Sequence, residues 1–413
     1  MRILYLCHRI PYPPDKGEKI RAFHQIAQLA RRHEVHLVSF GEEHHDPANT
    51  EALRRICASV EIVDRPCAAA TFATLLGAAC GRPLSIAAYD SRAMGRAVAS
   101  RWRQTPPDVA VVYTAAMAPY AERVGCPRLL DFVDVDSEKW RVYGERMRPP
   151  MSLLYALEAR RLAAYEARMA RTFEHAALIS EAEARILAGR VPSLGVTVIP
   201  NGVDLEYFRP APYAFAAATA PRQMAVFVGM MDYYPNCDAV LYFAKDVLPL
   251  VRSEVPEFEF RIVGRQPTPA VRALGRLPGV TVSGAVPDVR PHLAEALLAV
   301  APFRIARGIQ NKVLEAMASG VPVVGTPLAF QGIAAGERDG IRVAGASEAL
   351  AGLIVEMART PSLRAERGAA ARAYVERHHR WDAVGVALEQ VLERLVGTRQ
   401  GASRAAGTGS ARP

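Results

Sequence analysis

The residues best placed to do chemistry lie in PFRIARGIQNKVLEAMASGVPVVG, Pro302 to Gly325 of the 413-residue chain. An apolar run, Leu297 to Ala301, leads into this stretch and predicts a buried parallel strand. Arg304, Arg307 and Gly308 fall on the loop that follows. Gln310 to Ser319 has the spacing of a helix, Gly320 stops it, and Val321 to Val324 begin the next strand. A basic loop therefore meets a helix N-terminus, where free N–H groups and partial positive charge favour an anion such as a diphosphate. Lys312 and Glu315, three residues apart, share one helix face. An ammonium there suits phosphate, and a carboxylate suits sugar hydroxyls such as those of a ribose. The same spacing also fits an ordinary strand–helix–strand unit in which the two residues simply pair at the surface.

A second set of candidates sits near the start. Ile3 to Cys7 is a short apolar strand, HRIPYPPDKGEKIR a proline-rich loop, and Glu18 to Arg31 a helix that would bury Ile20, Phe23, Ile26, Ala27 and Leu29. Val35 to Phe40 alternates as the next strand. Strand, helix and strand with short connections open a parallel, doubly wound sheet, whose ligands bind beyond the carboxyl ends of the strands. His8, Arg9, Asp15, Lys16 and Gly17 fall at that edge, and Gly17 lets backbone approach a ligand closely. Further on, Asp131, Asp134 and Asp136 cluster where the Arg128–Val133 strand ends. An Asp-x-Asp pair can hold a divalent cation; it can equally be a strand end followed by a cap at Ser137. The non-metal reading is preferred, with Asp134 left to contact a sugar hydroxyl or an incoming nucleophile.

Half of the residues are hydrophobic, enough for two packed domains, and no run of about 20 apolar residues predicts a membrane span. The opening MRILYLCH enters a strand directly, without the apolar core and cleavage site of a signal peptide, so a cytoplasmic protein is expected. Six scattered cysteines form no CxxC pair. The net charge of +9 suits anionic partners. No basic stripe interleaved with aromatics points to nucleic acid. Met151 to Glu174 predicts one long helix in which arginines alternate with Glu158, Glu166 and Glu174, a pattern that suits an ion-paired, solvated face or a helix lying on anionic lipid. Gly397 to Pro413 is expected to lack structure. Composition resets after IPNGVD, residues 199–204, and a Pro- and Ala-rich stretch to about Arg222, where a second series of alternating strands and helices begins.

On these residues the sequence resembles the glycosyltransferases of the GT-B fold, specifically the large retaining family 4 (group 1). ISEAEA, IPNGVD, FVGMMDYYPNCDAV, VSGAVPDV and KVLEAMASGVPVV are similar to that family's successive elements, and Trp381 with the helix after it resembles its C-terminal element. LYLCHRIPYPPDKGEKIR with GIQNKVLEAMASG is similar to the sugar transferases associated with exosortase (PEP-CTERM) systems, which accompany exopolysaccharide loci. The resemblance implies an α/β chain of two Rossmann-like, doubly wound domains facing across a cleft. An acceptor-side domain would span 1–200, a linker 201–222, and a nucleotide-sugar-binding domain 223–375. A helix at 376–396 would cross back to the first domain, and 397–413 would be a disordered tail.

The resemblance also assigns roles. Glu315 would bind the ribose hydroxyls of the donor nucleotide, and Gly284 and Val286 would frame its base. Gly308, Ile309, Gln310, Asn311 and Lys312 would meet the diphosphate and sugar, with Arg265 adding charge and Lys16 and Gly17 approaching the donor phosphate or the acceptor. Asp134 and Arg307 would stand at the reacting centre. Three departures are visible: Arg307 replaces a glutamate that the family carries eight residues before the one matching Glu315, Met230 and Met231 stand where cations usually follow the first strand of the second domain, and the histidine that many members carry in the first domain has no clear match, with Asp134 near its position. The implied activity moves a sugar, typically a hexose, from a nucleoside-diphosphate sugar to a hydroxyl with retention, without cofactor or required metal. The implied acceptor is a lipid-linked or other glycan at the inner face of the cytoplasmic membrane. A nucleotide-sugar epimerase of the same fold and a catalytically silent sugar-nucleotide-binding subunit are the rival readings.

Overall fold

The structure is a computed structural model that describes residues 1–42, 46–65, 71, 74, 77, 79–210 and 223–408. It divides into two compact units, residues 1–200 with 381–413, and residues 201–380. Each is built on a wholly parallel sheet, as the alternation of apolar runs and helical stretches requires.

In the first unit seven strands lie in the order β3-β2-β1-β4-β5-β6-β7. They are β1 (Arg2–Cys7), β2 (Glu34–Phe40), β3 (Ser59–Val63), β4 (Val109–Tyr113), β5 (Arg128–Val133), β6 (His175–Leu178) and β7 (Gly195–Val198). Alternate side chains feed two cores. Leu4, Leu6, Val38, Phe40, Ala110 and Val112 enter one, and Ile3, Tyr5, Val35, Leu37, Val109 and Val111 the other. The second core is closed by the Gly17–Leu29 helix and by the helix at the end of the chain, which supplies Trp381, Val384, Leu388, Val391 and Leu392. Those two helices come close enough that a Cβ at Gly385 would lie 2.6 Å from Gln28 Cβ. Trp381 stacks on His24 with ring centroids 4.5 Å apart.

The second unit has six parallel strands in the order β10-β9-β8-β11-β12-β13. They are β8 (Met224–Val228), β9 (Glu259–Val263), β10 (Val280–Gly284), β11 (Leu298–Ala301), β12 (Val323–Gly325) and β13 (Ile341–Val343). The Asn311–Ala318 helix connects β11 to β12. The helix expected over 238–253 is three segments, Tyr234–Tyr242, a π-helical turn Phe243–Val247 and Leu248–Glu254.

Four expectations are corrected. The Gly17–Leu29 helix buries Lys19, Arg21 and Gln25 beside Ala22, Ile26 and Leu29, while Ile20, Phe23 and Ala27 stay half-buried. The polar face turns inward because Arg21 and Asp131 form an ion pair with neither side chain exposed. Arg21 Nε and Nη2 donate to the two Asp131 oxygens at 3.0 and 3.2 Å, Gln25 Nε2 donates at 2.7 Å, and Arg21 Nη1 donates to the Ile199 carbonyl at 2.8 Å. Second, Ser137 does not cap a helix. The Asp136–Arg146 helix begins one residue earlier, and Ser137 N and Oγ donate to Glu166 at 3.0 and 2.5 Å. Third, Glu158 and Glu166 are buried anchors of the Met151–Ala170 helix and take no part in a solvated ion-paired face. Glu158 accepts from the backbone N–H groups of Leu84 and Ser85 at 2.8 and 2.9 Å. Fourth, the last helix runs from Trp381 to Thr408, into the segment expected to lack structure. Residues 397–408 extend a helix already established from Trp381, and propagation needs far less than nucleation. Residues 211–222 of the expected linker and 409–413 of the tail lie outside the described residues. No helix among the described residues is long and apolar enough to cross a membrane.

The Arg21–Asp131 pair gives a stability test. Removing one partner leaves a buried charge uncompensated, so Arg21→Met should lower the unfolding free energy by about 3–5 kcal/mol. Replacing both, as Arg21→Met with Asp131→Leu, should recover much of that loss. Urea-unfolding midpoints of the three proteins measure both effects.

Candidate functional site

The second unit concentrates the candidates at the carboxyl edge of its sheet. Backbones crowd there: a Cβ built at Gly264, just past β9, would lie 1.7 Å from the Gly229 carbonyl oxygen, just past β8. Only glycine at 264 permits that approach. At Gly229 a Cβ would fall 2.8 Å from Asn236 Nδ2 and 3.2 Å from Lys312 Cε, so glycine makes room for those two side chains.

Lys312 lies in the first turn of the Asn311–Ala318 helix. Its Nζ donates to Asn236 Oδ1 at 2.9 Å and stands 4.9 and 5.5 Å from the ring centroids of Phe303 and Phe227. Asn236 in turn donates to the Met230 carbonyl at 2.8 Å, and Arg265 Nε approaches Met230 Sδ at 3.1 Å. Lys312, Asn236, Met230 and Arg265 are thus one contiguous cluster, joining the ends of β8 and β9 to the helix after β11. Burial pushes the Lys312 ammonium down to about 8, opposed by the Glu315 charge. Burial pushes the Glu315 carboxyl up to about 7, opposed by Lys312. No side chain or backbone N–H among the described residues donates to the Glu315 carboxylate.

Arg307 and Gly308 lie on the loop before that helix. Gln310 Nε2 donates to the Arg307 carbonyl at 2.9 Å, which fastens the loop to the helix start. Gly308 has φ +62°, a left-handed conformation natural to glycine, and a Cβ on neighbouring Gly332 would lie 2.8 Å from the Gly308 carbonyl oxygen. Ile309 is buried, and Asn311 Oδ1 accepts from Asn201 Nδ2 at 2.8 Å. Gly284 ends β10 with φ +70° and open space around it, and half-buried Val286 follows. Sequence reasoning missed Asn236, Asn201, Gly229, Gly264 and Gly332. The YPN run after β8 was the available signal for Asn236.

Lys16, Gly17 and Asp134 belong to the first unit. Lys16 precedes the Gly17–Leu29 helix without a side-chain cap, and Gly17 is exposed at its first position. Asp134 follows β5, where Val133 adopts φ +65° and donates its N–H to Asp131 at 3.0 Å. At the end of β1, His8 is buried against Tyr113, 5.8 Å between ring centroids, and burial pushes its imidazole down to about 4. Arg9 pairs with Glu18 at 2.8 Å. Asp131, grouped with Asp134 and Asp136 by sequence, is committed to Arg21. Among the described residues no group of three or more His, Cys, Asp or Glu side chains could hold a metal ion.

Residues 222–360 match the family model described as glycosyl transferases group 1. Solved structures resemble nearly the whole chain. Sucrose-phosphate synthase from Thermosynechococcus elongatus is 14% identical with a TM-score of 0.68, covering 96% of this chain and 100% of that one. Anabaena HepE in complex with UDP is 16% identical at TM-score 0.65, covering 95% and 100%. WaaG, a glycosyltransferase involved in lipopolysaccharide biosynthesis, is 16% identical at TM-score 0.62, covering 96% and 100%. No curated protein matches the sequence. The fold is GT-B, with two Rossmann-like units, and the group 1 domain within it supports a glycosyltransferase.

The shifted Glu315 carboxyl predicts a pH-dependent cost. A carboxyl raised in the folded state contributes stability that is fully present below the unfolded value of about 4.5 and is lost as pH rises through about 7. Glu315→Gln removes that loss. Relative to wild type, the variant should therefore gain stability between pH 5 and pH 8 in the absence of ligand. Urea midpoints at the two pH values check the sign; an unchanged difference would show that Glu315 is not desolvated.

Proposed function

We propose that the protein is a retaining, metal-independent glycosyltransferase of family 4 that takes its sugar from a nucleoside-diphosphate donor. The observation that carries this reading is the Lys312–Glu315 pair: two incompletely solvated, opposite charges at a helix start on the carboxyl edge of a parallel sheet, inside the group 1 domain. In this reading the Lys312 ammonium and the first-turn N–H groups of its helix hold the diphosphate, and Arg265 adds charge from the end of β9. Glu315 accepts from the ribose hydroxyls, and Gly284 and Val286 frame the base. Arg307 faces the transferred sugar or the diphosphate, with Gly308 to Asn311 shaping the loop around them. Lys16, Gly17 and Asp134 serve the acceptor side. The acceptor oxygen bonds the anomeric carbon as the bond from that carbon to the diphosphate oxygen breaks, and the acceptor proton passes to a diphosphate oxygen. The protein positions the reactants and stabilises the departing charge, so no protein base and no cation are required.

HepE has been solved with UDP and with UDP-glucose, which makes uridine donors the first to test. The resemblance of the opening stretch and of GIQNKVLEAMASG to PEP-CTERM-associated transferases supports a lipid-linked acceptor in exopolysaccharide assembly, met at the cytoplasmic membrane.

The test is turnover of a nucleotide sugar in the presence of excess chelator and a lipid-linked acceptor. The expected result is acceptor-dependent release of the nucleoside diphosphate that chelation does not abolish. Conversion of donor without acceptor would point to an epimerase, and no conversion to a silent binding subunit. Glu315→Ala should weaken nucleoside-diphosphate binding by about 1–3 kcal/mol, because sugar hydroxyls lose a desolvated acceptor. Calorimetry showing unchanged affinity would remove that assignment.

Arg307 is tested separately. A guanidinium only donates, so it suits the diphosphate or an acidic donor sugar such as a uronic acid. Arg307→Glu restores the residue of the wider family, yet it should lower kcat/KM here by an amount equivalent to about 2 kcal/mol or more. Kinetics equal to wild type would show that Arg307 carries no such role.

A further inference from the structure

Large apolar side chains are exposed at ten described positions, and four of them fall within seven residues at the start of one helix. Met151, Leu153, Leu154 and Leu157 are 40, 68, 41 and 44% exposed on the Met151–Ala170 helix. The other six are scattered singly, as on any protein surface. The cluster is fixed in place. Buried Glu158 is held by Leu84 N, Ser85 N and Ser85 Oγ, and buried Glu166 by Ser137 and by Arg190 Nη1 at 3.0 Å. Those bonds pin the polar residues of the helix inward, so the leucines cannot rotate into the core without stripping two buried carboxylates of their donors.

The outward stripe continues as Arg160, Ala164, Arg168 and Arg171, at spacings of three and four residues from Leu157, all exposed. The turn that precedes the helix, Arg146 to Pro150, exposes Arg146 and Arg148. From Lys139 to Arg171 the sequence holds eight basic and three acidic residues. Two of the acids, Glu158 and Glu166, are buried, and the third, Glu145, pairs with Arg141 at 2.5 Å. An apolar cluster continuous with the exposed Arg148, Arg160, Arg168 and Arg171 matches a surface that offers acyl chains and phosphates together. A second copy of this chain matches poorly, because a two-fold contact would set arginine against arginine.

We propose that the exposed face of the Met151–Ala170 helix, with the Arg146–Pro150 turn, docks the protein on an anionic phospholipid bilayer, the leucines entering the headgroup–acyl boundary and the arginines meeting lipid phosphates. This deepens, and for its purpose rests on, the reading of a lipid-linked acceptor, since docking brings the enzyme to where such an acceptor lies.

The test is flotation of the full chain with vesicles of phosphatidylcholine, with and without phosphatidylglycerol. Wild type is expected to float with the anionic vesicles and not with neutral ones, and raising salt from about 0.1 M to about 0.5 M should release it. L153D/L157D and, independently, R148E/R160E should each need at least about tenfold more lipid for half-binding. Circular dichroism and the thermal shift produced by UDP should remain as in wild type. Flotation of both variants equal to wild type overturns the proposal, as does equal binding to neutral vesicles or to none. Sedimentation velocity that shows a wild-type dimer lost in L153D/L157D overturns it in favour of a second copy. Absence of any UDP shift in wild type removes the glycosyltransferase reading while the vesicle result stands by itself.

Discussion

All strands within each unit are parallel, and the placement of chemistry follows from that constraint. A parallel strand pair needs a crossover, so every helix returns the chain to the same starting edge, and every strand-to-helix loop lies at the opposite one. In the second unit this gathers Gly229 after β8, Gly264 after β9 and Lys312 after β11 at one edge, although they are distant in sequence. The Gly229 and Gly264 backbones meet so closely that a side chain is excluded at Gly264. Asn236 and Lys312 occupy the room that Gly229 leaves. Their separation along the chain conceals them from any local pattern.

Desolvated charge is treated in two opposite ways. Asp131 receives both nitrogens of a guanidinium fork, the Gln25 amide and a backbone N–H, so it is satisfied and holds a helix to a sheet. Lys312 and Glu315 are desolvated but less completely matched. One has an amide oxygen and two ring faces, and the other a distant opposite charge. Such an incompletely matched pair contributes little to the stability of the fold. Glu166 shows that a raised carboxyl alone does not mark a site. Burial pushes it up to about 7 as well, but it accepts from Ser137 and Arg190 and so serves the fold.

Much of this was legible in the sequence. The alternation of apolar runs and helical spacing gave both sheets, and the loop–helix at Pro302 to Gly325 lies as its glycines and periodicity indicated. What escaped was the direction of polar side chains on amphipathic helices. Arg21 and Gln25 lie on the face of the Gly17–Leu29 helix that also holds Ala22, Ile26 and Leu29. Only the position of Asp131, more than a hundred residues away, makes that face buried. Glu158 and Glu166 likewise read as partners for nearby arginines, because spacing along one helix is visible in sequence and the N–H groups of Leu84 and Ser137 are not. Ser137 looked like a cap for the same reason: its actual acceptor, Glu166, lies on another helix.

The departure at Met230 and Met231 has a packing explanation. Met231 is fully buried, its N–H donates to the Arg265 carbonyl at 2.9 Å, and its own carbonyl accepts from Cys237 Sγ at 3.1 Å. A cation at 231 would enter the core without a counter-charge, at a cost that desolvation makes prohibitive. Met230 is the more open of the two, and its sulfur and carbonyl serve Arg265 and Asn236. Positive charge therefore reaches this edge from β9 through Arg265 and from the helix after β11 through Lys312, with the two methionines packed between them. Met230 holds the Arg265 guanidinium through its sulfur and the Asn236 amide through its carbonyl, so both reach the same edge as one contiguous cluster.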